Sequence, residues 1–260
     1  MAVALVDETG DPGTGGRGTP WFSWVAVIIP DSALHAMTEA RDQLSVVSAR
    51  NWSGARLGGD DLLGALTFMN TLEGWQWVAV VSDTTRTSTS TASLIHDATQ
   101  YRFYTMLVML ERLSWVGEGW REQVHVFLER PNDTGFTEHR LRQRHQDGLP
   151  NKWANYETLP SENIHFASPV EQPSLTYAHM VACAVGKAVN PHPIWTRILP
   201  GAVFPHYLEL IGERVWRGPW RGEDNLTDRG FTLLPAPHRR QIRAQLGFIG
   251  DWLMRLGLAA

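Results

Sequence analysis

Three acidic residues, Asp7, Glu8 and Asp11, crowd the end of an apolar run near the start of the chain, and Glu129 closes a second such run, VHVFLE. If these runs are neighbouring strands of one sheet, their ends lie ~4.8 Å apart and their carboxylates can share a cation. Hard oxygen donors of this kind suit Mg²⁺ or Mn²⁺. Two such ions ~3.5–4 Å apart can activate a water and stabilise the leaving oxygen of a phosphodiester, so the pattern fits phosphoryl transfer. Taken singly, Asp-Glu-Thr-Gly-Asp also fits a polar turn after a strand. Glu8 alternates to the opposite face from Asp7 and leaves the candidate set, while Asp11 stays as an auxiliary carboxylate.

Several other groups compete for attention. His139, Arg140, Arg142, Arg144 and His145 form the densest basic cluster. Arg140, Arg142 and Arg144 are candidates for phosphate contact, against the plain alternative of a solvated helix. His238, Arg239, Arg240 and Arg243 start a final amphipathic segment, where positive charge opposes the helix dipole unless an anion is near. Trp216 and Trp220 stand among Arg214, Arg217 and Arg221 and, if exposed, could stack bases. Gly13, Gly15 and Gly18 have G-x-G-x-x-G spacing, but the loop leads into WFSWVAVII, a strand pattern, rather than into a helix. No dinucleotide cofactor is expected, and the loop reads as a flap beside the acids.

The elements that must position these residues follow from periodicity. Strands are expected at Ala2 to Val6, Trp21 to Ile29, Trp75 to Ser82, Val124 to Glu129 and Asn163 to Ala167. Helices are expected at Asp31 to Ser48, Asp60 to Leu72, Thr91 to Val116 and Leu175 to Val189, with weaker signals at Tyr207 to Trp216 and His238 to Leu256. Three strands in hairpin succession, a helix, a fourth strand, a short fifth and a buried helix resemble the element order of a ribonuclease-H-like domain. That order predicts an α/β fold with a mixed five-stranded sheet flanked by helices, the first strand beside the fourth. Residues 1–190 form this domain, and residues 191–260 a mainly helical C-terminal extension packed on it.

The segments ALVDETGD (Ala4 to Asp11) and WFSWVAVII, with the later helix LTYAHMVACA (Leu175 to Ala184), resemble the bacterial family catalogued as domain of unknown function 3800. The resemblance implies a ribonuclease-H-like fold and a metal-dependent nuclease. It also implies that the late helix contributes a metal ligand where the family carries Asp, and His179 stands there in this chain. In the resolvase branch of ribonuclease-H-like enzymes a histidine on the final active-site helix can serve as ligand. The implied set is then Asp7, Glu129 and His179, with Mn²⁺ accepting the nitrogen more readily than Mg²⁺. A lone histidine on an apolar helix is also an ordinary core residue.

Composition bounds these readings. With 260 residues, 43% hydrophobic and 19% charged, the chain can bury a large core, and disordered or fibrous classes are excluded. The net charge of −4 gives no general attraction to nucleic acid, so any such contact is local. Cys183 is the only cysteine, which excludes an internal disulfide and a cysteine-cluster zinc site and fits a reducing, cytoplasmic setting. No apolar run approaches the ~18 residues of a membrane span, and the first residues lack a signal-peptide pattern. The expected function is a divalent-metal-dependent nuclease. The rivals are a non-catalytic nucleic-acid- or protein-binding module with a degenerate site, and an enzyme acting on a small phosphorylated molecule.

Overall fold

The computed structural model describes residues 1–12, 19–48, 59–84, 97–131, 133–148, 154–189, 205–218, 230–234 and 252. Strands β1 (Ala2–Thr9), β2 (Trp21–Ile29) and β3 (Gln76–Asp83) form an antiparallel run, with helices α1 (Asp31–Ser48) and α2 (Gly59–Thr71) between β2 and β3. Helix α3 (Ala98–Trp120) crosses to β4 (Val124–Glu129), which pairs parallel to β1. Helix α4 (Glu138–Gln146), β5 (Ile164–Ala167) and α5 (Leu175–Val189) follow, then α6 (Pro205–Ile211) and β6 (Phe231–Leu234). The sheet order is β5-β4-β1-β2-β3-β6, so the first strand does sit beside the fourth.

The expectation of five strands is corrected to six, because β6 pairs parallel with the β3 edge. That strand lies inside the segment expected to be a mainly helical extension. Four residues in a stretch rich in Pro, Gly and Trp cannot establish a period of their own, so their pairing depends on β3. The helix expected over Tyr207 to Trp216 ends at Ile211 and passes into a 3₁₀ turn, Gly212–Arg214. Trp216 is 2% exposed and packs in the core, which removes it as a base-stacking surface. Trp220, Arg221, the Gly13 to Gly18 loop, and His238, Arg239, Arg240 and Arg243 lie outside the described residues. Among the described residues no helix is long and apolar enough to cross a membrane.

One sheet separates two cores. Helices α1, α2, α5 and α6 cover one face, and α3 and α4 cover the other. Strand β1 is buried on both faces, which explains its continuous run AVALV rather than an alternating one. Strand β4 alternates because only one of its faces is fully covered: Val124, Val126 and Leu128 pack toward α3, while His125, Phe127 and Glu129 are half-buried on the α5 side. Helix α3 starts on Asp97, whose carboxylate accepts the Gln100 N–H, and ends on Arg121 at φ 56°.

Helix α5 owes its position to small residues. Ala178, Ala182 and Gly186 recur every four residues and let the helix press against β1 and β2. At Gly186 a Cβ would fall 2.2 Å from Thr9 Oγ1, so only glycine fits without movement.

Candidate metal centre

Strand β1 runs through Thr9 rather than stopping at Val6, so Asp7 and Glu8 are strand residues whose side chains leave opposite faces. Glu8 goes to the α3 side, where its carboxylate accepts from Arg102 Nε at 3.0 Å and Nη2 at 3.1 Å. Arg102 Nη1 also donates to Asp133 at 3.2 Å. This is a bidentate, largely buried ion pair that ties α3 to the central strand. Burial raises the Glu8 pKa, and Arg102 opposes that rise.

Asp7 goes to the α5 side and is 7% exposed. The parallel register sets Val6 against Leu128, so the residues one step on, Asp7 and Glu129, come level on neighbouring strands. Helix α5 closes the third side: His179 Nδ1 lies 2.9 Å from Asp7 Oδ2. Each of Asp7, Glu129 and His179 offers one ligand atom, and these atoms lie within 4.8 Å of one another. Two carboxylate oxygens and an imidazole nitrogen at that separation form a donor set that can hold a divalent cation.

The electrostatics are those of acids brought together. Burial first, and the Asp7 charge second, push the Glu129 carboxyl up to about 7, while His179 opposes the rise. The His179 pKa is held well above its ordinary 6.5, first by the hydrogen bond to Asp7 and then by contact with Cys183. Both shifts run in the direction that reduces net charge: they favour a proton on His179 and disfavour the Glu129 anion. A cation held by these atoms would compete with protons for them.

The trio opens into a cleft of about 460 Å³, also lined by Thr9, Gly10, Thr19, Cys183 and Lys187. Cys183 Sγ lies 3.6 Å from His179 Nε2. Cys183 and Lys187 were not anticipated, although their spacing of four and eight residues from His179 marks them as its neighbours on one helix face. Gly10 makes the tight exit from β1 possible, with φ +86° and the Trp21 carbonyl 2.3 Å from where a Cβ would be.

Other expected residues fall elsewhere. Asp11 is exposed beyond the turn, where its backbone N–H donates to Thr19 Oγ1 at 2.7 Å, and it is not brought to the trio. Arg142 Nε donates to the Ile164 carbonyl at 2.7 Å, and its Nη2 lies 2.9 Å from Glu138. Arg144 donates to Gln100 at 2.8 Å and stacks over Phe103. Arg140 donates to the Gly135 carbonyl at 3.2 Å and remains exposed. Two of the three arginines thus bind α4 to the body of the protein. His145 is buried, with Nε2 2.9 Å from the Leu159 carbonyl.

No protein-family model matches the chain. No curated protein matches it either. Among solved structures, a chain of the PCNA:RNase HII complex from Archaeoglobus fulgidus is similar at a TM-score of 0.45 and 12% identity, over 82% of this chain and 88% of that one.

Proposed function

We propose that this protein is a divalent-metal-dependent phosphodiester hydrolase, a nuclease built on a ribonuclease-H-like sheet. The observation that carries the reading is the convergence of Asp7, Glu129 and His179 from β1, β4 and α5 to within 4.8 Å. The sheet order supports it, since β1 is flanked by antiparallel β2 and parallel β4, as that fold requires. The likeness of ALVDETGD and LTYAHMVACA to the domain-of-unknown-function 3800 family belongs to the same proposal, because those two segments supply Asp7 and His179.

In this reading Asp7, held between Glu129 and His179, is the shared central ligand, and the other two complete the set. A bound cation supplies Lewis-acid polarisation of a phosphoryl oxygen and an activated water. The chain's own contribution is to hold three donors rigidly on two strands and a helix. His179 would have to give up a proton for its ring nitrogen to serve as a ligand. The nitrogen donor favours Mn²⁺ over Mg²⁺. Asp11 gains no support as an auxiliary ligand from its place beyond the turn.

A second reading rests on the Asp7–His179 contact at 2.9 Å, which satisfies both groups without a cation and fits a binding module with a degenerate site. Hydrolysis of labelled DNA and RNA oligonucleotides, each with Mn²⁺ or Mg²⁺, separates the two. Cation-dependent cleavage that disappears in Asp7→Asn is the expected result. Absence of cleavage in the wild type, or equal cleavage by Asp7→Asn, refutes the hydrolase reading.

A further inference from the structure

We propose that Lys187 is a substrate-positioning residue that holds a phosphate next to the scissile one, an inference that rests on the hydrolase reading above. His179, Cys183 and Lys187 stand four residues apart on α5 and line the same cleft as Asp7 and Glu129. Four-residue steps drift only ~40° around a helix, so the three side chains form one stripe. Eight residues place the Lys187 Cα ~12 Å along the axis from that of His179, and helical side chains lean toward the N-terminus, which brings the ammonium closer to the ligands. That separation puts it beyond the ion's own ligands and within reach of the adjoining backbone phosphate.

Lys187 supplies the cleft with a cationic donor beside its carboxylates. Lys187 is half-buried, and among the described residues it has neither a hydrogen bond nor an ion pair. Its ammonium is therefore available in the cleft to donate to an anion, and phosphate oxygens suit it as acceptors. Lys187 is also one of only two lysines in the chain, the other being Lys152. The neighbouring Gly186 presses α5 onto Thr9 at the end of β1, which fixes this turn of the helix relative to Asp7. The structural alternative is that Lys187, in the last turn of α5, serves only the helix dipole.

The test is fluorescence-anisotropy titration of a labelled single-stranded oligonucleotide with Ca²⁺ present, at several salt concentrations, using wild type, Lys187→Ala and Lys187→Arg. One lost phosphate contact on a single strand flattens the slope of log K against log salt by ~0.7, which is a ~5-fold loss of affinity at about 0.1 M salt relative to 1 M. Lys187→Ala is expected to show that change equally on different sequences, and Lys187→Arg to retain the wild-type slope. A helix-dipole role would lower the melting temperature without moving the slope, and an unchanged slope overturns the inference. Failure of the wild type to bind oligonucleotide also overturns it, whatever cation binding at Asp7 shows. A slope change without cation-dependent cleavage leaves the phosphate contact standing and refutes only the hydrolase reading.

Discussion

Replacing Glu129 with Gln should make the cation-free protein more stable at alkaline pH and abolish its response to divalent cations. The Glu129 carboxyl is pushed up from 4.5 to about 7 by burial and by Asp7. A carboxyl raised in the folded state contributes full stability below its unfolded value of about 4.5 and loses it as pH rises through about 7. The whole shift corresponds to ~3 kcal/mol, and solvent screening of a half-buried group reduces this to ~1–2 kcal/mol. Glutamine keeps the shape and removes the charge. At about pH 8 the variant should therefore melt roughly 2–6 °C above the wild type in chelator, and the difference should vanish near pH 4.5. With a saturating cation the order reverses, since ligand at ~100 times its dissociation constant stabilises the wild type by ~2.7 kcal/mol. Scanning calorimetry at both pH values, with chelator and with Mn²⁺, reads all four conditions. A Gln variant that is less stable at about pH 8 in chelator, or that gains as much from Mn²⁺ as the wild type does, refutes the reasoning.

Three further outcomes are expected. Because His179 has a raised pKa, its ion pair with Asp7 contributes stability below about 6.5 that fades as pH rises through the raised value, and a cation must displace its proton. Calorimetric titration with Mn²⁺ at about pH 7, in two buffers of different ionisation enthalpy, should show roughly one proton released per ion from this group, and buffer-independent heats would contradict that. Gly186→Ala should cost ~1–3 kcal/mol through overlap with Thr9, and a Thr9→Ala background should recover part of it in a double-mutant denaturation cycle. Arg102→Ala, which strands Glu8 in a largely buried site, should cost ~2–4 kcal/mol in urea denaturation yet leave the Mn²⁺-induced melting shift within error, in contrast to Asp7→Asn.

The strands that carry Asp7 and Glu129 were legible because burial writes itself into sequence where both faces are covered or where coverage alternates. AVALV and VHVFLE show these two cases, and the structure pairs them in parallel. The late helix was legible from its small and apolar run, and its observed bounds are Leu175–Val189. The geometry of the basic cluster was less legible. Arginines two residues apart on a helix point ~200° apart, so Arg142 reaches β5 while Arg144 reaches α3. Spacing along the chain groups these side chains, whereas spacing around the helix sends Arg142 and Arg144 to different elements and leaves Arg140 exposed. Helix α4 itself shows almost no apolar period, because Leu141 and His145 are its only fully buried residues. The Asp7–His179 contact joins residues 172 positions apart, a separation that no local window spans.

The pairing of β6 with β3 has a consequence for how the chain is made. Ser82 and Leu234, partners in that pair, are 152 residues apart. At translation rates of ~5–20 residues per second, β3 waits roughly 8–30 s on the ribosome before its outer neighbour has been synthesised. During that interval the β3 edge is an open row of backbone donors and acceptors, a template for any extended segment nearby. The order of synthesis thus separates two events. Asp7, Glu129 and His179 can assemble once α5 has emerged, while β3 stays without this neighbour until Phe231–Leu234 arrive.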